Sequence, residues 1–152
     1  MGFLDNDIRS TVRVDGEAAY QMLSAGDLPG AWLTLEPADL ASSLDVLYNK
    51  ALCLREAGRW EEALEISRLA FRRLTEGVPQ RSFDPVCSVL ISGLDRPLPM
   101  NPAMPDRSPT YAGLQARWLY ALCLADAGET EEAARVSAPL FTMGIKTLER
   151  KG

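Results

Sequence analysis

Few side chains in this chain have the type and spacing needed for catalysis. Histidine is absent, which removes the commonest general base, proton shuttle and metal ligand near neutral pH. The three cysteines, Cys53, Cys87 and Cys123, are too widely spaced for a close-spaced zinc site. Cys53 and Cys123 are each flanked by leucine on both sides, the setting of a small apolar core residue rather than an activated thiol. An odd number of scattered cysteines is the pattern of reduced thiols, so a cytoplasmic location is expected. The acid pairs Glu61-Glu62 and Glu131-Glu132 could be read as catalytic carboxylates. Neighbours on a helix diverge by about 100°, however, and acids in a first turn are accounted for by the helix dipole. Arg68, Arg72, Arg73 and Arg81 could form an anion-binding patch or a solvated helix end. The expectation is a non-enzyme without metal or cofactor.

The elements that carry these residues belong to one folded domain. The 152 residues are 47% hydrophobic and 24% charged, enough for a continuous core without disulfide or metal. A net charge of −5 argues against nucleic acid, whose binding needs a concentrated positive surface. No apolar run reaches the length of a membrane span. The opening MGFLDNDIRS carries Asp5 and Asp7, has no signal-peptide core, and places Asn6 where a myristoylation signal wants Ser or Thr.

Internal repetition is the most informative feature. Residues 51–58, ALCLREAG, return at 121–128 as ALCLADAG, identical at six of eight positions. Each copy continues with two acids and an alanine, ending at Ala63 and Ala133, and a weaker copy runs from Ala25 to Ala31. Gly26, Gly58 and Gly128 are 32 and then 70 residues apart, close to one and two periods of about 34 residues, the length of a helix-turn-helix repeat. Leu47, Ala51 and Leu54, then Ala63, Ile66 and Ala70, recur at the spacing that places them on one face of each of two successive helices. Gly58 between them can adopt the left-handed conformation that ends a helix. The second helix opens with Glu61 and Glu62 and closes with Arg72 and Arg73, matching its dipole; the same polarity is expected from Glu131 and Glu132 to Lys146 and Arg150. The pairs Ala19/Ala31, Ala51/Ala63 and Ala121/Ala133 are small where the two helices would cross.

In these respects the chain resembles the tetratricopeptide repeat family, with repeats at 12–42, 44–77 and 114–147. The match lies in the small positions and in Leu54 and Leu124; the family's closing proline is missing. Pro37 is expected to shorten the second helix of the first repeat. The resemblance implies an all-α stack of about three helical hairpins whose concave face, lined by the first helix of each repeat, binds a protein or peptide. Carried over by frame, that face comprises Tyr48, Asn49, Leu52 and Arg55 in the second repeat, and Gln115, Trp118 and Leu122 in the third. Tyr48 and Trp118 fit either a groove or the core. Asn49 matches one position of the clamp by which some family members hold chaperone tails, but Leu119 stands where a cation is required.

Residues 78–108 interrupt the rhythm. Pro85 to Leu94 reads as a short helix, whereas Asp95 to Pro109, with prolines at 97, 99, 102, 105 and 109, reads as a loop of extended backbone. Part of Leu98 to Pro105 is expected either to pack over the chain's own helices, limiting access to the groove, or to form an exposed linker. Pro139 and Gly144 are expected to kink or restart the last helix so that it covers the end of the stack. An adaptor or chaperone-like binding module is the leading expectation. A structural subunit for self-association or complex assembly is the alternative, and an uncharacterised enzyme comes third.

Overall fold

Three left-handed glycines set the architecture. Gly26, Gly58 and Gly128 have φ of 84°, 75° and 83°. In each turn the following residue, Asp27, Arg59 or Glu129, donates its N–H to the carbonyl five residues back, on Met22, Leu54 or Leu124. This Schellman closure satisfies helix-end carbonyls and requires the left-handed residue that glycine supplies without strain.

The computed structural model describes residues 13–79 and 81–145; the opening segment read for targeting signals lies outside them. The described residues form eight helices and no strand: α1 (Gly16–Ser24), α2 (Leu28–Leu35), α3 (Leu44–Glu56), α4 (Trp60–Thr75), α5 (Pro85–Ser92), α6 (Met104–Arg107), α7 (Pro109–Asp126) and α8 (Thr130–Phe141). The pairs α1–α2, α3–α4 and α7–α8 pack as hairpins about the three glycine turns. Between hairpins, α2 packs on α3, and α4 packs on α7.

The alanine pairs lie in the core as expected. Ala19, Ala31, Ala51 and Ala121 are fully buried, with Ala63 and Ala133 nearly so. Most of the centre is α7, in which every residue from Ala112 to Leu124 except Arg117 is buried. One side of it joins Tyr48, Ala51 and Leu54 of α3 and Ala63, Ala70 and Leu74 of α4. Another side, through Leu114, Trp118 and Leu122, packs on Ile91, Leu140 and Ile145. A helix apolar on all sides is stable in water only when surrounded in this way.

Side-chain caps start several elements. Asp15, Asp27 and Asp84 accept from the N–H groups of Ala18, Gly30 and Cys87, each satisfying an orphan donor of a first turn. The short α2 agrees with the effect assigned to Pro37.

Three expectations change. The loop assigned to Asp95–Pro109 contains the single turn α6 and ends as the start of α7, because Pro105 and Pro109 occupy first-turn positions whose N–H groups need no helical partner. The third hairpin therefore begins at Pro109, five residues ahead of the expected 114. At its other end α8 runs through Pro139 and stops at Phe141, with Gly144 (φ 86°) turning the chain so that Ile145 enters the core. Lys146 and Arg150, expected to complement the helix dipole, lie beyond that end and outside the described residues.

Candidate peptide-binding site

The chemistry of the site lies between α3 and α7, where three polar side chains are buried. Tyr48 and Asn49 are fully buried, and Gln115 is 1% exposed. Such groups are tolerated in a core only when paired. Their partners come from the proline-rich segment. Tyr48 Oη donates to the Leu98 carbonyl at 2.7 Å, and Gln115 Oε1 accepts from the Leu98 N–H at 2.9 Å. Asn49 engages both main-chain groups of Met100: Nδ2 donates to the carbonyl at 2.9 Å, and Oδ1 accepts from the N–H at 2.8 Å. Gln115 Nε2 in turn donates to Tyr111 Oη at 3.0 Å. Burial holds the Tyr48 phenol well above its ordinary pKa, keeping it a neutral donor; burial also raises Tyr111, opposed by its bond with Gln115.

The segment held by these residues, a strap over residues 97–101, has neither helix nor turn. Every hydrogen bond made to it by Tyr48, Asn49 and Gln115 goes to main chain, so the row recognises backbone rather than side-chain identity. Met100 is fully buried in the central cluster, a contribution of about 1.5–3 kcal/mol for a side chain of that size. Of the two expectations for this segment, packing over the chain's own helices is the one observed.

Beside the strap runs an open groove of ≈ 590 Å³. Tyr20 and Leu23 of α1, Leu52 and Glu56 of α3, Leu98 of the strap and Tyr111 of α7 line it, with Gln115 at its floor.

The residues assigned to a concave face are thus divided by the fold. Leu52 and Gln115 line the groove, and Tyr48 and Asn49 hold the strap beneath it. Trp118 and Leu122 are in the apolar cluster with Ile91 and Leu140 and are core residues. No hydrogen-bond partner of Trp118 Nε1 is found among the described residues, consistent with a side chain placed there for its apolar area. Arg55 is also engaged internally, by Asp126 at 2.6 Å. The frame shared by repeats two and three points to α3 and α7, whose Tyr48, Asn49 and Gln115 hold the strap, but it does not place the bulk of Trp118, because that depends on where α8 and Ile145 pack. Tyr20, Leu23 and Glu56 were not anticipated. Tyr111 was detectable only as an aromatic one helical turn before Gln115.

Several of the remaining candidates make contacts within the chain. Glu62 forms an exposed ion pair with Arg59, the residue just before α4, and Glu132 forms one with Arg135 of its own helix. Arg68 donates to Tyr120 Oη and Arg73 to the Leu40 carbonyl, so different elements engage these two arginines. Cys53 and Cys123 are buried, and burial pushes each thiol up to about 11.

No group of three His, Cys, Asp or Glu suited to a metal occurs among the described residues, and none of their helices is long and apolar enough to cross a membrane. No protein-family model matches the chain, and neither a curated protein nor a solved structure matches it.

Proposed function

We propose that this protein is a helical-hairpin binding module of tetratricopeptide-repeat type that holds a segment of another protein in the groove beside the strap. The observation that carries the reading is the Tyr48–Asn49–Gln115 row, which grips an irregular segment through its main chain. Side chains arranged to satisfy backbone groups are the physical requirement for binding extended peptides. Tyr20 and Tyr111 add aromatic surface with polar tips, a combination suited to interface anchors. The repeat-type architecture is supported by the three matching glycine turns and buried alanine pairs.

A photo-reactive side chain placed at the exposed rim residue Ser24 tests this reading in the intact chain. The expected result is a discrete heterologous protein cross-linked from Ser24 and not from Glu61, an exposed control on α4. Cross-links equal at both positions, or none, would overturn it.

A structural subunit is the second reading. Val86, Val89 and Leu90 on α5 are 69%, 70% and 67% exposed, and a contiguous apolar patch is a common mark of an assembly surface. Light scattering after size exclusion separates the two: an oligomer that dissociates when these three residues are made polar favours assembly.

A further inference from the structure

The strap is more than a wall of the groove. We infer that the row beneath it is a recognition site for an extended apolar-proline-apolar segment, occupied in this chain by its own Leu98-Pro99-Met100, and that a partner's segment of the same chemistry competes for it. This inference rests on the binding reading above and names the ligand class of that site.

The register carries the ligand chemistry. Tyr48 and Gln115 satisfy the carbonyl and N–H of Leu98, and Asn49 satisfies both groups of Met100. The contacted residues are therefore two apart, and the main-chain groups of both turn to the row, while the side chain of Met100 is buried and that of Leu98 is 37% exposed. Pro97 and Pro99 occupy the alternate positions, where the row supplies no acceptor and a residue without an N–H leaves no donor unpaired. Proline also restricts the free segment, lowering the entropy lost when it is fixed. The second position anchors itself by burial, as Met100 does. Since the row reads only main chain at the first position, Leu98 is replaceable by other apolar residues, whereas the proline between is favoured.

The way the strap is attached supports release. Between α4 and α7, α5 makes no extensive helix–helix packing; of its residues only Ile91 is buried. The strap itself is anchored by Pro97 and Met100, with Leu98 37% exposed. From 81 to 98 only Ile91 and Pro97 are buried, and so sparsely buried a stretch belongs to the part of a protein that opens before the global fold is lost; Met100 and its bonds with Asn49 are the contacts that must break for the strap to follow. The tether keeps the strap at an effective concentration on the order of millimolar, so an outside segment gains access whenever the strap is weakened or the partner binds more tightly.

Two measurements on the full chain test this. In the unaltered protein, hydrogen exchange should show the Leu98 and Met100 amides opening at least about 100-fold more often than those of Ala121 and Leu122 in α7, as expected of a sub-global event. Exchange of all four together would show that the strap opens only with the fold and would overturn the inference. The second measurement uses a fluorescent peptide copying residues 95–101, Asp-Arg-Pro-Leu-Pro-Met-Asn. It should bind a variant carrying Pro97→Gly, Pro99→Gly and Met100→Ala at least tenfold more tightly than the unaltered chain, and Asn49→Ala in that variant should abolish binding. A variant that keeps its helical spectrum yet takes no peptide sinks the inference; if the variant does not fold, the exchange result decides alone. Partner cross-linking from Ser24 without peptide binding would remove this inference and leave the broader reading standing, while loss of the cross-link removes the reading itself.

Discussion

Arg55 and Asp126 join the C-terminal turns of α3 and α7, with Nε 2.6 Å from Oδ2. They come from the two offsets at which the repeated segments 51–58 and 121–128 differ. Where the repeats read Arg-Glu and Ala-Asp, the second supplies the acid that the first supplies a base to meet. The acid is common to both copies, as Glu56 and Asp126, whereas the base stands only in the first, where the second has Ala125.

With side chains 19% and 15% exposed, this pair lies between a solvated surface bridge and a buried one. Arg55→Ala or Asp126→Ala should each cost about 1–2 kcal/mol, above the usual exposed pair and below a fully buried one. A double-mutant cycle in denaturant checks it: strictly additive losses would show no coupling between the two side chains.

Asn49→Ala should destabilise the protein by about 2–4 kcal/mol, since it leaves the N–H and carbonyl of Met100 without their partner and each buried unsatisfied group costs about 1–3 kcal/mol. Urea unfolding measures the loss. Asn49→Ala variants as stable as the parent would mean that water replaces the side chain freely and that the strap is loosely held.

Gly128→Ala places a side chain at φ 83°, with nothing within 4 Å of the added carbon. Any loss there is backbone strain alone, about 1–2 kcal/mol. Gly58→Ala, at φ 75°, should lose a similar amount, and unequal thermal shifts would show that the two turns are not mechanically equivalent.

Ala63→Leu and Ala133→Leu each overfill a site that is at least 95% buried and should cost about 1–3 kcal/mol. Unchanged unfolding midpoints for both would show that the hairpins can open to accept the extra volume.

Cys53 and Cys123 titrate at about 11 in the folded chain against 9.0 for the free side chain. Because the folded values are raised, their stabilising contribution is complete below pH 9 and is lost as pH rises toward 11. At pH 8 a soluble alkylating reagent should modify the half-buried Cys87 first. Peptide mapping that finds Cys53 or Cys123 labelled at the same rate would contradict this placement.

The helical fold was legible in the sequence because it depends on local patterns. The glycine spacing marked three turns, each left-handed in the structure, and the alanine pairs marked close crossings that are buried. Asn49 and Gln115 were singled out by their frame in the repeat, and both hold the strap. What the frame could not provide was which side of α7 faces which neighbour. Trp118 and Gln115 are three residues apart on that helix, yet one packs against Ile91 and Leu140 while the other meets Leu98. That division follows from where residues 91–101 and 140–145 return to the helix, a matter of long-range packing that periodicity does not encode. The same limit applies to the proline run. Its composition excluded a long helix and favoured an extended course, but only the buried acceptors and donors of Tyr48, Asn49 and Gln115, which must be satisfied away from water, decided that it lies against the chain's own core.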